Sequence, residues 1–113
     1  MKVAHYTKTP AETVEHGATG VTIREVITPA DGAPRFSMRV FEVAPGGSTP
    51  RHGHAWEHEV YVAAGRGVVW SAESADHPIS EGDTIFVPGG EEHQFRNDSD
   101  ELFRFVCLIP NPS

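Results

Sequence analysis

Turn-forming residues interrupt this chain so often that few architectures remain open to it. Nine prolines and eleven glycines fall between short runs of β-branched and aromatic residues. That punctuation suits many short strands joined by turns, as in a sandwich or a barrel. The turn signals are Pro29-Ala-Asp-Gly32, Ala44-Pro-Gly-Gly47, Gly65-Arg-Gly67, Ser80-Glu-Gly-Asp83, Pro88-Gly-Gly90 and Asn97-Asp-Ser-Asp100. Between them, strands are expected near 21–28, 36–43, 51–55, 58–63, 67–73, 84–87, 92–96 and 102–109. A helical pattern exists only over Ala11 to His16, too short to carry weight. With no linker, internal repeat or low-complexity segment, the expectation is one all-β domain spanning 1–113, with a barrel over about 20–110 and an N-terminal arm over 1–19.

At 113 residues there is room for one core. A hydrophobic content of 38% with 22% charged residues is that of a globular chain. The formal charge of −7 argues against nucleic acid or an anionic membrane surface as partner. No apolar run approaches the roughly 20 residues of a membrane span, and the first residues lack the pattern of a signal peptide. Cys107 is alone, so no internal disulfide can form, and a reducing cytoplasm is the expected compartment.

Strands in this number must close or pack face to face, because open edges invite aggregation. A closed barrel of this size has an interior wide enough for a small ligand. The segment 102–109 shows how the faces sort. Phe103, Phe105, Cys107 and Ile109 share one side, and Leu102, Arg104, Val106 and Leu108 the other. Both sides are largely apolar, as they are over 21–28, so these strands are expected to be covered by the core and by another layer or subunit. A homodimer follows as an expectation.

Three of the seven histidines stand close together in Arg51-His52-Gly-His54-Ala-Trp56-Glu-His58. On a strand His52 and His54 face the same way. His58 begins the next strand in phase with Val60 and Val62, the apolar and therefore inward set, while Glu59 and Tyr61 point away. A fourth, His93, follows the Pro88-Gly-Gly90 turn in phase with Phe95. Neutral imidazole is the commonest ligand for Mn, Fe, Ni, Cu and Zn, and buried histidines without partners are costly. His52, His54, His58 and His93 are therefore expected to bind one divalent transition metal. His5, His16 and His77 lie in polar or turn-like stretches and read as surface residues.

These residues resemble the two signature motifs of the cupins. The first runs Gly, five residues, His-x-His, three or four residues, Glu, six residues, Gly; Gly46, His52, His54 and Gly65 fit it, with His58 in the place of the Glu. The second runs Gly, five residues, Pro-x-Gly, two residues, His, three residues, Asn; Gly82, Pro88, Gly90, His93 and Asn97 fit every fixed position. Glu59 could also fill the carboxylate position with the longer gap, but six residues further then lead to Arg66 rather than a glycine, and strand phase points Glu59 outward. The run 51–59, with Cys107-Leu-Ile-Pro110, is similar to the small four-histidine manganese cupins of thermophilic bacteria. The resemblance implies a double-stranded β-helix (jelly-roll) barrel, manganese, a dimer and oxidative chemistry.

Four neutral ligands leave the +2 charge of an ion uncompensated and, on an octahedral ion, two positions open for a substrate or for dioxygen or peroxide. Intrinsic affinity would favour copper, nickel or zinc over manganese or iron, so the residues alone do not fix the metal. Around it, Trp56 could wall the pocket mouth or pack at the barrel rim. Phe105 and Cys107 could line the cavity or serve the core. Arg39 could point into the barrel toward an anionic substrate or pair at the surface. No Ser-His-Asp pattern and no inward pair of carboxylates is visible. The leading expectation is an oxygenase or oxidase acting on a small unsaturated or aromatic molecule, with oxidative C=C cleavage as one form. The alternatives are a redox-neutral lyase or isomerase and a non-catalytic metal or ligand-binding module.

Overall fold

The computed structural model describes residues 1–112. Nine strands follow in chain order: β1 (Glu12–Thr13), β2 (Thr19–Ile27), β3 (Phe36–Ser48), β4 (His58–Ala64), β5 (Arg66–Ser71), β6 (Ala75–Ser80), β7 (Thr84–Val87), β8 (His93–Arg96) and β9 (Phe103–Pro110). Among the described residues, helix is limited to 3-10 turns at Tyr6–Lys8 and Pro29–Asp31. The expected all-β barrel is thus observed.

All strand pairs are antiparallel and belong to one curled sheet. One wall runs β2-β3-β9-β4-β7 and the other β6-β5-β8. β3 joins them. Its first part pairs with β2 and β9, whereas Ser48 at its end pairs with Arg96 of β8. The stretch Ala44-Pro-Gly-Gly47, expected as a turn, is therefore a bend within a continuous strand. Gly46 takes a positive φ of 78° there, which an L side chain resists.

Two further expectations are corrected. The segment 51–55 is not a strand: it contributes one isolated bridge, His52 to His93. The turn-like Ala75–Pro78 is instead part of β6, an edge strand along β5. Proline is tolerated on such an edge because an unpaired flank needs no N–H donor. Strand β6 buries only Ile79, so it carries no alternating pattern to read.

The core is an aliphatic and aromatic cluster of Val21, Val43, Val60, Val62, Val69, Ile79, Phe95, Phe103, Phe105 and Cys107. Phe105 is its centre, with ring centroids 4.6 Å from Phe95 and 5.1 Å from Phe41 and from Phe103. The outer face of β2, β3 and β9 is partly covered by the N-terminal arm. Tyr6 lies beneath the guanidinium groups of Arg24 and Arg104, at 5.7 and 5.0 Å, and Lys2 pairs with Asp31 at 2.9 Å. The second layer expected over these strands is thus in part the chain's own arm.

Candidate metal centre

The four histidines reach one cavity from three directions. His58 opens β4 with the burial alternation His58 in, Glu59 out, Val60 in, Tyr61 out, and is only 5% exposed. The strand phase that favoured His58 over Glu59 is therefore the phase observed. His93 opens β8 and exchanges both backbone bonds with His52, N to O at 3.2 and 3.0 Å. His54 is held in the loop through its carbonyl, which accepts from Gly90 N at 2.5 Å. The loop can lie this close to the Pro88 turn because Gly53 and Gly89 carry no side chain. A Cβ on Gly53 would stand 3.3 Å from Gly90 O, and one on Gly89 would strike the Ala55 carbonyl.

Ring centroids are 4.3 Å apart for His52 and His54, 5.3 Å for His52 and His93, 5.3 Å for His54 and His58, 5.0 Å for His58 and His93, and 6.3 Å for His54 and His93. With metal–nitrogen bonds of ~2.0–2.1 Å, imidazoles sharing one ion have centroids roughly 4.5–6.5 Å apart, depending on the angle between them. Four of these five separations lie in that range, and the 4.3 Å of His52 and His54 falls just short of it. Among the described residues, no group of three or more His, Cys, Asp or Glu side chains is arranged, as placed, to hold a metal ion.

The donor chemistry fits a cation nonetheless. His93 Nδ1 lies 3.0 Å from the Glu91 carbonyl. A carbonyl only accepts, so Nδ1 carries the proton and Nε2 keeps its lone pair. His58 Nδ1 lies 3.3 Å from Cys107 Sγ, and its Nε2 is buried with no hydrogen-bond partner. An orphaned buried ring nitrogen is costly unless something fills its lone pair. Burial, reinforced by the charges of the neighbouring histidines and Arg39, pushes His52 down to about 4 and His58 down to about 3. His54 is lowered by the same causes. These rings are therefore neutral, the form in which imidazole ligates a metal.

The cavity measures about 270 Å³ and is walled by Val14, Ile23, Arg39, Phe41, Thr49, Pro50, Phe95, Phe105 and Cys107 besides the histidines. Both readings of Phe105 and Cys107 hold at once, since each lines the cavity and belongs to the buried core. Burial pushes the Cys107 thiol up against the opposing pull of Arg39, so it stays protonated. Arg39 points inward and makes none of the ion pairs found among the described residues. Trp56 is 44% exposed and stacks on His54 with centroids 4.5 Å apart and planes 4° from parallel. It touches the site from the rim and is not a wall of the cavity. Phe41 and Ile23 were not singled out from sequence. The available signal for Phe41 was its place two residues after Arg39, on the same strand face. His77 lies exposed on β6.

Comparison with known proteins agrees with this architecture. A family model described as a cupin domain matches residues 39–109. The solved structure of the polyketide cyclase RemF from Streptomyces resistomycificus superposes with a TM-score of 0.92 at 41% identity, covering 97% of this chain and 79% of that one. Protein SchB of Streptomyces halstedii is 35% identical over 99 residues, covering 82% of this chain and 71% of that protein. The 1-methylthio-D-xylulose 5-phosphate methylsulfurylase of Rhodospirillum rubrum is 39% identical over 74 residues, which span 46% of that protein's length. No helix among the described residues is long and apolar enough to cross a membrane.

Proposed function

The chain belongs to the cupin family, and we propose that it is a metal-dependent cyclase closing a ring on a poly-β-ketone or similarly enolisable carbonyl compound. His52, His54, His58 and His93 would hold one divalent ion. The observation that carries this reading is a cavity lined by four histidines and apolar walls, with no carboxylate among its lining residues. Its likeness to a polyketide cyclase extends over nearly the whole chain and supports the choice of substrate class.

A bound divalent ion supplies Lewis-acid polarisation of a carbonyl, which makes the flanking C–H more acidic. The chain's own residues do the rest. The reaction joins a methylene carbon to a carbonyl carbon, moves the methylene proton to the former carbonyl oxygen, and then loses water, so no oxidant enters. Phe41, Phe95 and Phe105 supply flat apolar surface that holds a reacting segment in folded form and excludes water. At about 270 Å³ the cavity lies just below the ~300–1,000 Å³ of pockets that enclose drug-sized ligands. One end of an extended chain fits it. Glu91, through its carbonyl, holds His93 in a single tautomer.

The oxidative reading draws on the same neutral donor set and stands second. A test separates them. Protein loaded with zinc, nickel or manganese, its metal content measured, is incubated with a synthetic aromatic triketone with and without oxygen. The cyclase reading expects ring closure with loss of water under anaerobic conditions, in the zinc form included. Products formed only with oxygen or peroxide, and only with a redox-active metal, would replace it with the oxygenase.

A further inference from the structure

Among the described residues, Arg39 is the one formally charged side chain lining the histidine cavity. It stands on β3 with Glu25 of β2 and Cys107 of β9 as its register partners. Its Nη2 lies 3.3 Å from Cys107 Sγ, and its Cζ lies 5.0 Å from the centroid of the Phe41 ring. Its Nε is buried with no hydrogen-bond partner. Glu25 is solvent-exposed and makes no ion pair with it among the described residues.

A guanidinium offers five donors in a planar fork and never gives up its proton. Here the fork meets a cysteine sulfur, which is a weak acceptor, and an aromatic face. Arg39 is half-buried, and neither contact satisfies its Nε, a buried donor left without a partner. The cavity is the space that Arg39 lines, so a partner for the unsatisfied donor is placed there. The fork also sits one side chain from His58, through the 3.3 Å contact of Cys107 Sγ with His58 Nδ1.

We propose that Arg39 is the substrate's anion anchor: it binds a carboxylate, or an ionised enol or phenol oxygen, and sets the substrate's orientation beside the histidines. This deepens the cyclase reading in naming the substrate's acidic oxygen as what the cavity recognises, and it depends on that reading only for placing the substrate in this cavity. A bidentate carboxylate would satisfy two donors at once.

The test is titration calorimetry of the purified protein with two probes of like shape, 1-naphthoate and neutral 1-naphthalenemethanol. Wild type is expected to bind the carboxylate at least tenfold more tightly than the alcohol. Arg39→Met should abolish that preference while changing alcohol binding less than twofold, and Arg39→Lys, which keeps the charge but not the fork, should restore part of it. Thermal unfolding of each variant shows that the fold is retained, and Arg39→Lys carries the comparison if Arg39→Met does not fold. A naphthoate affinity unchanged in both variants, or no preference in wild type, would overturn the anchor. Loss of the triketone cyclisation with the carboxylate preference intact would instead overturn the cyclase reading and leave the anchor standing.

Discussion

Replacing Asn97 should weaken the barrel as a whole while leaving the histidine cavity in place. Asn97 is 1% exposed. Its Nδ2 donates to the carbonyls of Val43 at 2.8 Å and Glu101 at 2.6 Å. Its Oδ1 accepts from Ser99 N at 2.9 Å and Ser99 Oγ at 2.7 Å. Asn97 N also donates to Gly47 O, and Gly46 N to Asn97 O, each at 2.9 Å, so the residue ties the bend of β3 to the loop after β8. Asn97→Ala keeps the backbone bonds and removes the side-chain ones. The carbonyl of Val43 loses this donor in the interior, at ~1–2 kcal/mol. That of Glu101 is part-buried and keeps Ser99 Oγ at 3.2 Å, so its loss is ~0.5–1 kcal/mol, and Ser99 recovers most of its own from solvent. The sum is about 2–3 kcal/mol, a substantial share of the ~5–15 kcal/mol that holds a domain together. Urea unfolding of wild type and variant, at matched metal content because bound metal shifts the equilibrium, reads the difference. Asn97→Asp should be no better than Asn97→Ala, since a carboxylate oxygen would replace the donor facing two carbonyls. A cost below 1 kcal/mol for Asn97→Ala, or an Asp variant more stable than the Ala variant, would refute this reasoning.

Cys107→Val removes the acceptor near His58 Nδ1 and Arg39 Nη2. If His58 is a ligand, metal affinity should fall about 10-fold or more, as for other outer partners of ligating histidines, in competition with a chromophoric chelator; unchanged affinity would leave Cys107 a packing residue. Gly67→Ala would set a Cβ 2.5 Å from the Phe103 ring and 2.7 Å from Arg96 O, so overpacking should cost about 1–3 kcal/mol in the same unfolding assay. We also propose a homodimer through the outer face of β4 and β7, where Tyr61 is 51% and Phe86 62% exposed. Light scattering should give twice the chain mass for wild type and the single-chain mass for Tyr61→Glu, and a wild-type monomer at micromolar concentration would remove the claim.

The fold was legible wherever turn chemistry and alternation agreed. Strands β4 and β9 show this, with His58, Val60 and Val62, and Phe103, Phe105 and Cys107, turned to one side. It was illegible where a physical cause hid the pattern. Residues 75–80 form an edge strand that buries only Ile79, so no period of two exists to be found. The Pro45-Gly46-Gly47 signal marks a real departure from regular backbone, but one that bends β3 from wall to wall instead of ending it. The His52-x-His54 pair suggested a strand because alternation gathers two rings on one side. A loop pinned to Gly90 and bridged to His93 gathers them equally well.

The same distinction explains how much of the candidate site could be read. Its four histidines are close in sequence or lie beside tell-tale turns, and local spacing was enough to bring them together. Its walls are not local. Arg39 and Cys107 are 68 positions apart in the chain and meet only because β3 and β9 pair in one particular register. A slip of β3 by one residue would turn Arg39 to the outer face and bring Met38 or Val40 inward in its place, and a slip of β9 would likewise replace Cys107 by Val106 or Leu108. The register is fixed by Phe41 stacking on Phe105 and by Glu42 pairing with Arg104 on the opposite face at 3.1 Å. These contacts lie outside the two motifs' fixed positions. The motifs therefore specify what gathers the histidines, while the register of β3 on β9 specifies what surrounds them. It is in that register that two chains with the same four histidines can come to hold different substrates.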